Sequence, residues 1–383
     1  MLSVIAMATL LEQLRSMSTV VVDAGDINAI ATFKPQSATL TASLISAAIQ
    51  LPQYQNMVDE ALQKSRSGKV SAMDHLFLGF GLEVLKLITG RLSVELDARL
   101  AYNAQELIAR SQQIAEQFRT QGIDPHRILM KIPATWEGIC ACQVLEQQRI
   151  HCNMSLVFGQ HQAIASAMAQ ATAISTLVGR MLDWQKRHPS KDRHLAQVDL
   201  GVHTVTNFYH YYKKFHFPTQ IIAGGFRHQG QITALAGCDI LSISPGLLSD
   251  LHAQHTALTR QLDPQRAAHS LLEPIAIDQA VFGRMHQADS MAQEKLEEGI
   301  RGLSRSFVNL ENLINQRLAQ WETGSALSHV ADDLFMAYDM DSDGFITREE
   351  WSGTDAVFDA FDMDKDGKIT AKEIAVGLGI LHL

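Results

Sequence analysis

The chain has 383 residues, a hydrophobic fraction of 46% and a formal net charge of −9. This length and composition suit a globular protein with a large core and room for more than one domain. No apolar run is long enough to span a membrane, and the acidic balance argues against nucleic acid, which requires a basic face.

The first residues carry no sign of export. Residues 1–10 are apolar but lack a basic region and a small-residue cleavage site, so we expect a cytoplasmic protein. The four cysteines do not form a disulfide pattern in so long a chain, and one Cys-x-Cys pair is not zinc spacing. We therefore expect reduced thiols in the core.

Strand-like and helix-like segments alternate through the first 330 residues. A short helix at residues 10–16 is followed by a β-branched strand that ends in a carboxylate. The strands are predicted at residues 19–23, 38–42, 92–96, 128–132, 151–157, 173–178, 219–223 and 240–243. Eight strands with helical crossovers predict an α/β fold, a (β/α)8 TIM-type barrel. A doubly wound open sheet is the alternative, but its phosphate-loop signature is missing.

The strand at residues 128–132 carries an unusual lysine. Ile128, Leu129, Met130 and Ile132 surround Lys131 with apolar residues, as expected for a parallel strand covered on both faces. Desolvation favours a neutral amine, which is the nucleophile that forms Schiff bases with carbonyl compounds. A structural ion pair is the alternative role for Lys131.

Polar side chains recur at the carboxyl ends of the other predicted strands. Because active sites of (β/α)8 barrels form at that end, a ring of such groups around a lysine favours catalysis over a purely structural role. The group comprises Asp23, Thr41, Glu95, Asn153, Ser155, Ser175 and Arg227.

Several of these residues lie in longer motifs that together resemble transaldolase. The similarity runs in consistent order from about residue 11 to about residue 318. The motifs are VVDAGD at 21–26, SVELDARL at 93–100, ILMK at 128–131, TWEG at 135–138, CNMSL at 152–156, VGRMLDW at 178–184 and GGFR at 224–227.

The resemblance implies a class I aldolase-type enzyme of the pentose phosphate pathway that needs no organic cofactor. Such an enzyme moves a three-carbon dihydroxyacetone unit from sedoheptulose 7-phosphate to glyceraldehyde 3-phosphate, giving erythrose 4-phosphate and fructose 6-phosphate. Lys131 would form the imine and Asp23 would take the hydroxyl proton during carbon–carbon cleavage. Glu95 and Ser155 would hold the water used in imine formation and hydrolysis.

The resemblance also implies substrate contacts. Asn153 would bind substrate hydroxyls with Ser175, and Arg180 and Arg227 would clamp the phosphate through their guanidinium groups. Thr41 stands where the family usually has an asparagine, which removes an amide from the donor site and predicts weakened or altered donor binding. Gly225 and Ser155 are further departures from the usual serine and threonine.

The last 53 residues are a separate acidic module. Residues 331–383 contain 13 Asp and Glu against 4 Lys and Arg, a balance of −9, so the first 330 residues are neutral at 28 against 28. Two loops match the EF-hand pattern of carboxylates at positions 1, 3 and 5, glycine at 6, a carbonyl at 7 and glutamate at 12. The predicted ligands are Asp339, Asp341, Asp343, Phe345 and Glu350, then Asp362, Asp364, Asp366, Lys368 and Glu373.

We therefore predict a barrel at residues 1–322, a linker at 323–330 and an all-α EF-hand pair at 331–383 that binds two Ca²⁺ ions. Sugar phosphates are the expected substrates, and the family resemblance suggests a homodimer. The alternative is a barrel that has lost catalysis and serves as a calcium-dependent scaffold, which the change at Thr41 favours.

Overall fold

The computed structural model describes residues 8–22, 27–33, 35–67, 70–189, 198–322, 328–341, 343–351 and 354–377. The chain divides into two compact units, Met1–Leu310 and Glu311–Leu383. The predicted linker at residues 323–330 lies largely outside the described residues, and the predicted domain limits stay predictions. No helix in the described ranges combines the length and the apolar character that crossing a membrane requires.

The first unit is built on one parallel sheet of eight strands in the order β1-β8-β7-β6-β5-β4-β3-β2. Because β1 pairs with β8 in parallel, the sheet curls into a nearly closed barrel and confirms the predicted (β/α)8 fold. The strands are β1 Thr19–Val22, β2 Ala38–Leu40, β3 Leu92–Glu95, β4 Ile128–Pro133, β5 His151–Ser155, β6 Ala173–Leu177, β7 Gln220–Gly224 and β8 Ile240–Ile243.

Helices follow the strands and cover the outside of the barrel. They are α1 Leu10–Arg15, α2 Ile27–Phe33, α3 Ala42–Ala48, α4 Gln55–Ser67, α5 Ala72–Leu87, α6 Ala104–Thr120, α7 Trp136–Gln147, α8 Gln160–Met168, α9 Val178–Arg187, α10 Leu200–Lys214, α11 Gln229–Ala234, α12 Pro245–His252, α13 Pro264–Ala268, α14 Gln279–Ala288 and α15 Ser290–Glu322. The unit division at Leu310 falls within α15.

Strands β3, β4 and β5 are buried along nearly their whole length, as the apolar run at residues 128–132 predicts for the central one. All four residues of β3 are buried, including Ser93 and Glu95, and Leu92 and Val94 are fully covered. Each such apolar side chain contributes roughly 1.5–3 kcal/mol through burial. The burial of these apolar side chains offsets the free-energy cost of holding polar residues at the carboxyl ends of the same strands.

Two predicted strands, β2 and β5, end two residues earlier than their sequences suggested, while β3 and β6 end one residue earlier. β2 ends at Leu40 because Thr41 caps α3, accepting a hydrogen bond from the Leu44 N–H group at 3.1 Å. β5 ends at Ser155 because Leu156 takes a φ of 57°, in the left-handed region. Both turns occur at the end of the barrel where the candidate site lies.

A short break separates the last two helices that begin in the first unit. The break falls at Asp289, between α14 and α15, where the Asp289 carboxylate accepts the Ala292 N–H group at 3.0 Å. Beyond this cap α15 runs unbroken to Glu322.

The second unit contains two helix–loop–helix segments. Its described elements are α16 Ser328–Tyr338, β9 Ile346–Thr347, α17 Asp355–Phe361, β10 Lys368–Ile369 and α18 Ala371–Gly377. β9 and β10 pair antiparallel, with Ile346 opposite Ile369. The core of this unit is partly aromatic: Phe335 and Phe358 are buried in it, and Tyr338 and Phe361 pack against it.

Candidate active site and calcium loops

Lys131 and Glu95 lie side by side at the carboxyl ends of β4 and β3. The two residues are paired in register, and the Lys131 Nζ atom is 3.9 Å from the Glu95 Oε2 atom. Burial raises the pKa of the Glu95 carboxyl, while the charge of Lys131 and the Ala42 N–H group oppose that rise. The barrel therefore places an amine beside a carboxyl group where both side chains are largely shielded from solvent.

Asn153 is next in the same row, opposite Lys131 in the register of β4 and β5. Its side-chain amide donates to the Ser93 Oγ atom at 3.1 Å and accepts from the Ser175 Oγ atom at 2.7 Å. The buried amide is thus fixed from two neighbouring strands. The role of Ser93 was missed in the sequence, because a serine inside an apolar strand gives no pattern of its own.

Two buried oxygen atoms at this end of the barrel have no hydrogen-bond partner in the described part of the chain. They are the Oε1 atom of Glu95 and the Oγ atom of Ser155. Buried polar atoms are normally satisfied, so each of these oxygen atoms marks a place for an external partner. Both residues were predicted as the pair that holds a water molecule.

The hydroxyl of Thr41 is already engaged in the fold. It accepts the Leu44 N–H group at 3.1 Å and lies 2.9 Å from the Ser43 Oγ atom. Thr41 therefore stands at the predicted place after β2, but as the cap of α3. Asp23, which follows β1 directly in sequence, lies outside the described residues.

Arg227 is held against α9 by a residue that sequence reasoning missed. Its Nη2 and Nε atoms donate to the Asp183 Oδ2 atom at 2.7 and 3.1 Å, and Nη1 donates to the Gly225 carbonyl at 3.2 Å. A Cβ atom on Gly179 would lie 3.1 Å from the Arg227 Cζ atom, so the Arg227 side chain lies against the first turn of α9, one residue before Arg180. Arg227 holds the pKa of Asp183 below its usual value.

The first acidic loop of the second unit brings its carboxylates together. Oxygen atoms of Asp339, Asp341 and Glu350 lie within 4.8 Å of one another. Gly344 has a φ of 89°, which explains the glycine at loop position 6, and the Asp343 carboxylate accepts the N–H group of the residue at position 7 at 2.9 Å.

The second loop repeats this arrangement. Oxygen atoms of Asp362, Asp364 and Glu373 lie within 4.8 Å of one another, and Gly367 has a φ of 85°. Asp366 accepts the N–H group of the following position-7 residue at 2.8 Å. Carboxylates clustered at this spacing fit a hard cation such as Ca²⁺, which takes oxygen ligands.

A third cluster lies elsewhere in the barrel and combines Cys142, Glu146 and Cys152. The sequence did not predict it. Glu146 Oε1 accepts N–H groups of Cys152 and Thr172 at 2.8 Å each, and its Oε2 atom lies 3.0 Å from His151 Nδ1. The carboxylate is therefore fully engaged in joining the starts of β5 and β6.

Comparison with known proteins agrees with this geometry. The family model described as Transaldolase/Fructose-6-phosphate aldolase matches residues 20–314, which is most of the chain. The chain belongs to the transaldolase/fructose-6-phosphate aldolase family. An EF-hand model matches residues 331–352 and 354–376, which contain the two acidic loops and suggest calcium binding.

Relatives named transaldolase match most of the chain, and two of them match it nearly end to end. The Thermosynechococcus vestitus protein is 48% identical over 385 residues, covering 98% of each chain. The Gloeobacter violaceus protein is 49% identical over 381 residues, covering 97% of this chain and 98% of its own. A Trichormus variabilis protein is 47% identical over 323 residues, covering 82% of this chain and 97% of its own. The chain is thus an enzyme of the transaldolase kind.

Proposed function

We propose that the enzyme transfers a dihydroxyacetone unit between sugar phosphates through a Schiff base on Lys131. The observation that carries the proposal is the row formed by Glu95, Lys131 and Asn153 across three adjacent strands, with an amine and a carboxyl 3.9 Å apart. Burial within this row raises the pKa of the Glu95 carboxyl. A protonated carboxyl there can give a proton, and an ionised one can take it back.

In the first stage, the Lys131 Nζ atom attacks the ketose carbonyl carbon, and the carbonyl oxygen leaves as water. The Glu95 carboxyl and the Ser155 hydroxyl hydrogen-bond this water, since each has one buried oxygen without a partner in the described part of the chain. The protonated imine that results is an electron sink.

In the second stage, the bond between the carbons α and β to the imine carbon breaks, its electron pair moves into the imine, and the β-carbon leaves as an aldehyde when its hydroxyl loses a proton. We assign removal of the hydroxyl proton to Asp23, on the strength of its motif. The bound three-carbon unit then attacks the acceptor aldehyde, and water releases the new ketose from Lys131. Asn153 and Ser175 contact substrate hydroxyls, while Arg180 and Arg227 bind the phosphate.

Borohydride trapping tests this mechanism. Fructose 6-phosphate and borohydride should give an adduct that peptide mass mapping locates on Lys131, and Lys131→Met should give none while keeping the circular dichroism of the wild type. Lys86→Met serves as the matched control, because Lys86 is an exposed lysine paired with Glu83 on α5. Folded wild-type protein that gives no adduct would favour the scaffold alternative.

We further propose that the second unit binds two Ca²⁺ ions, one in each acidic loop. The clustered carboxylates and the two positive-φ glycines support this, and the carbonyls of Phe345 and Lys368 would supply the position-7 ligands. The ions would offset repulsion among these carboxylates and so stabilise the unit.

Calorimetry of the full chain tests the calcium sites. Two ions should bind to the wild type, one to Glu350→Gln, and none tightly to the variant that also carries Glu373→Gln. Glu349→Gln changes the same charge at the neighbouring position and should still bind two. Undiminished binding by the double variant would contradict the ligand assignment.

A cytoplasmic location and a homodimer remain predictions. Cell fractionation tests the location, and light scattering tests the oligomeric state.

A further inference from the structure

A buried lysine at the mouth of the barrel has no part in the mechanism above. Lys295 lies on α15 and is 2% exposed, and its Nζ atom contacts the Glu298 Oε2 atom one turn further on. Lysine is almost never fully buried unless it is paired, because desolvating an ammonium costs several kcal/mol. The Glu298 side chain is 49% exposed, so the buried partner of this pair is the cation.

Close packing fixes where Lys295 lies. A Cβ atom on Gly299 would fall 2.6 Å from the Leu156 Cδ2 atom, and one on Gly159 would fall 3.0 Å from the Ala292 Cβ atom. Ala292, Lys295 and Gly299 are spaced three and four residues apart, so they share one face of α15. That face covers the chain directly after Ser155, at the carboxyl end of β5.

The same stretch of α15 is joined to α9, which carries Arg180. The Trp184 Nε1 atom donates to the Glu294 Oε2 atom at 2.8 Å. The pKa of Glu298 is lowered chiefly by its hydrogen bond from Lys295, with a smaller contribution from the charge of Arg180. Arg180 lies one helical turn before Trp184, and Glu298 lies one turn after Glu294, so both belong to the faces through which α9 and α15 meet, and Glu298 is bonded to Lys295.

We propose that Lys295 is a positioning residue for phosphate recognition: by holding Glu298, it keeps this carboxylate from pairing with Arg180 and leaves the guanidinium open to the substrate phosphate. This inference rests on the proposed assignment of Arg180 and Arg227 to the phosphate. An arginine beside a mobile glutamate would form a bidentate pair with it, and the phosphate would then have to displace the carboxylate.

The inference predicts a rescue. Lys295→Met releases Glu298 and should raise the KM for fructose 6-phosphate and the dissociation constant for inorganic phosphate about tenfold, while kcat changes by less than about threefold. Adding Glu298→Gln removes the competing charge and should return both constants to within about threefold of wild type. Glu298→Gln alone should raise neither. Lys86→Met, which breaks an exposed pair of the same spacing, is the control.

The double variant separates the possible roles of Lys295. If the constants stay raised when Glu298→Gln is added, Lys295 binds phosphate itself or serves only in packing, and the inference is overturned. A fall in kcat with unchanged KM would also overturn it. Should Lys295→Met not fold, the double variant remains measurable, because an uncharged buried pair is often neutral for stability. Its phosphate affinity, compared with that of Glu298→Gln, then decides: a tenfold loss contradicts the proposal.

Failure of the proposed function is distinguishable from failure of this inference. Calorimetry with inorganic phosphate requires no catalysis, and the adduct on Lys131 requires no phosphate effect. An adduct on Lys131 without rescue overturns the role of Lys295 alone. A wild type that gives no adduct, yet shows phosphate rescue, overturns the Schiff-base mechanism and supports the role of Lys295.

Discussion

Replacing Thr41 with asparagine separates a folding role from a binding role at one position. Thr41 accepts the Leu44 N–H group at 3.1 Å as the cap of α3, and its hydroxyl lies 2.9 Å from that of Ser43. Asparagine is as good a cap as threonine, so Thr41→Asn should change the free energy of unfolding by less than about 0.5 kcal/mol. Thr41→Val removes the cap oxygen and should cost about 1 kcal/mol.

The binding effect should have the opposite pattern. The amide adds donor and acceptor groups where the hydroxyl of Thr41 is already engaged, and one further hydrogen bond contributes about 0.5–1.5 kcal/mol. The KM for fructose 6-phosphate should therefore fall about two- to tenfold in Thr41→Asn. In Thr41→Val the KM should stay within about threefold of the wild-type value, since this hydroxyl already caps α3.

Steady-state kinetics and urea unfolding of the three proteins are the assays. A Thr41→Asn variant as destabilised as Thr41→Val would show that the cap geometry has been misjudged. A stable Thr41→Asn with unchanged KM would refute the assignment of this position to donor binding.

Two further predictions concern buried titratable groups. Glu95→Gln should lower kcat by about 10²–10⁴ as its proton transfer is lost. Because burial raises the pKa of Glu95, the native carboxyl keeps its proton to higher pH than the unfolded one. Wild-type stability relative to Glu95→Gln should thus fall as pH rises above 4.5, measured by urea unfolding, and a rise would contradict the burial argument. His161 is buried with its Nε2 atom 2.9 Å from the His286 Nδ1 atom, and desolvation lowers its pKa from 6.5 to about 4. The unfolded chain therefore takes up this proton first, and stability should fall by about 3 kcal/mol between pH 6.5 and 4. A His161→Gln variant with the same pH slope in urea unfolding would disprove this origin.

The sequence by itself determined the features that depend on short spacings. Apolar runs of strand length gave the eight strands and placed Lys131 and Glu95 at carboxyl ends, where a parallel barrel gathers its side chains. The calcium loops are readable for the same reason, because all ligands of one loop lie within twelve consecutive residues. A pattern of this kind constrains the backbone directly, and Gly344 with its φ of 89° is an example.

Only the tertiary structure decided which distant groups meet and how each donor is used. Asp183 and Arg227 are 44 residues apart in sequence, and no periodicity links them. Thr41 is predicted as a substrate ligand, and only the structure shows that its hydroxyl also caps α3. Lys295 belongs to a helix rich in charged residues, and it is buried on the helix face where Gly299 meets Leu156, far earlier in the chain. Residue type and spacing record what a side chain is able to do, whereas its partners depend on the long-range contacts that closing the barrel creates.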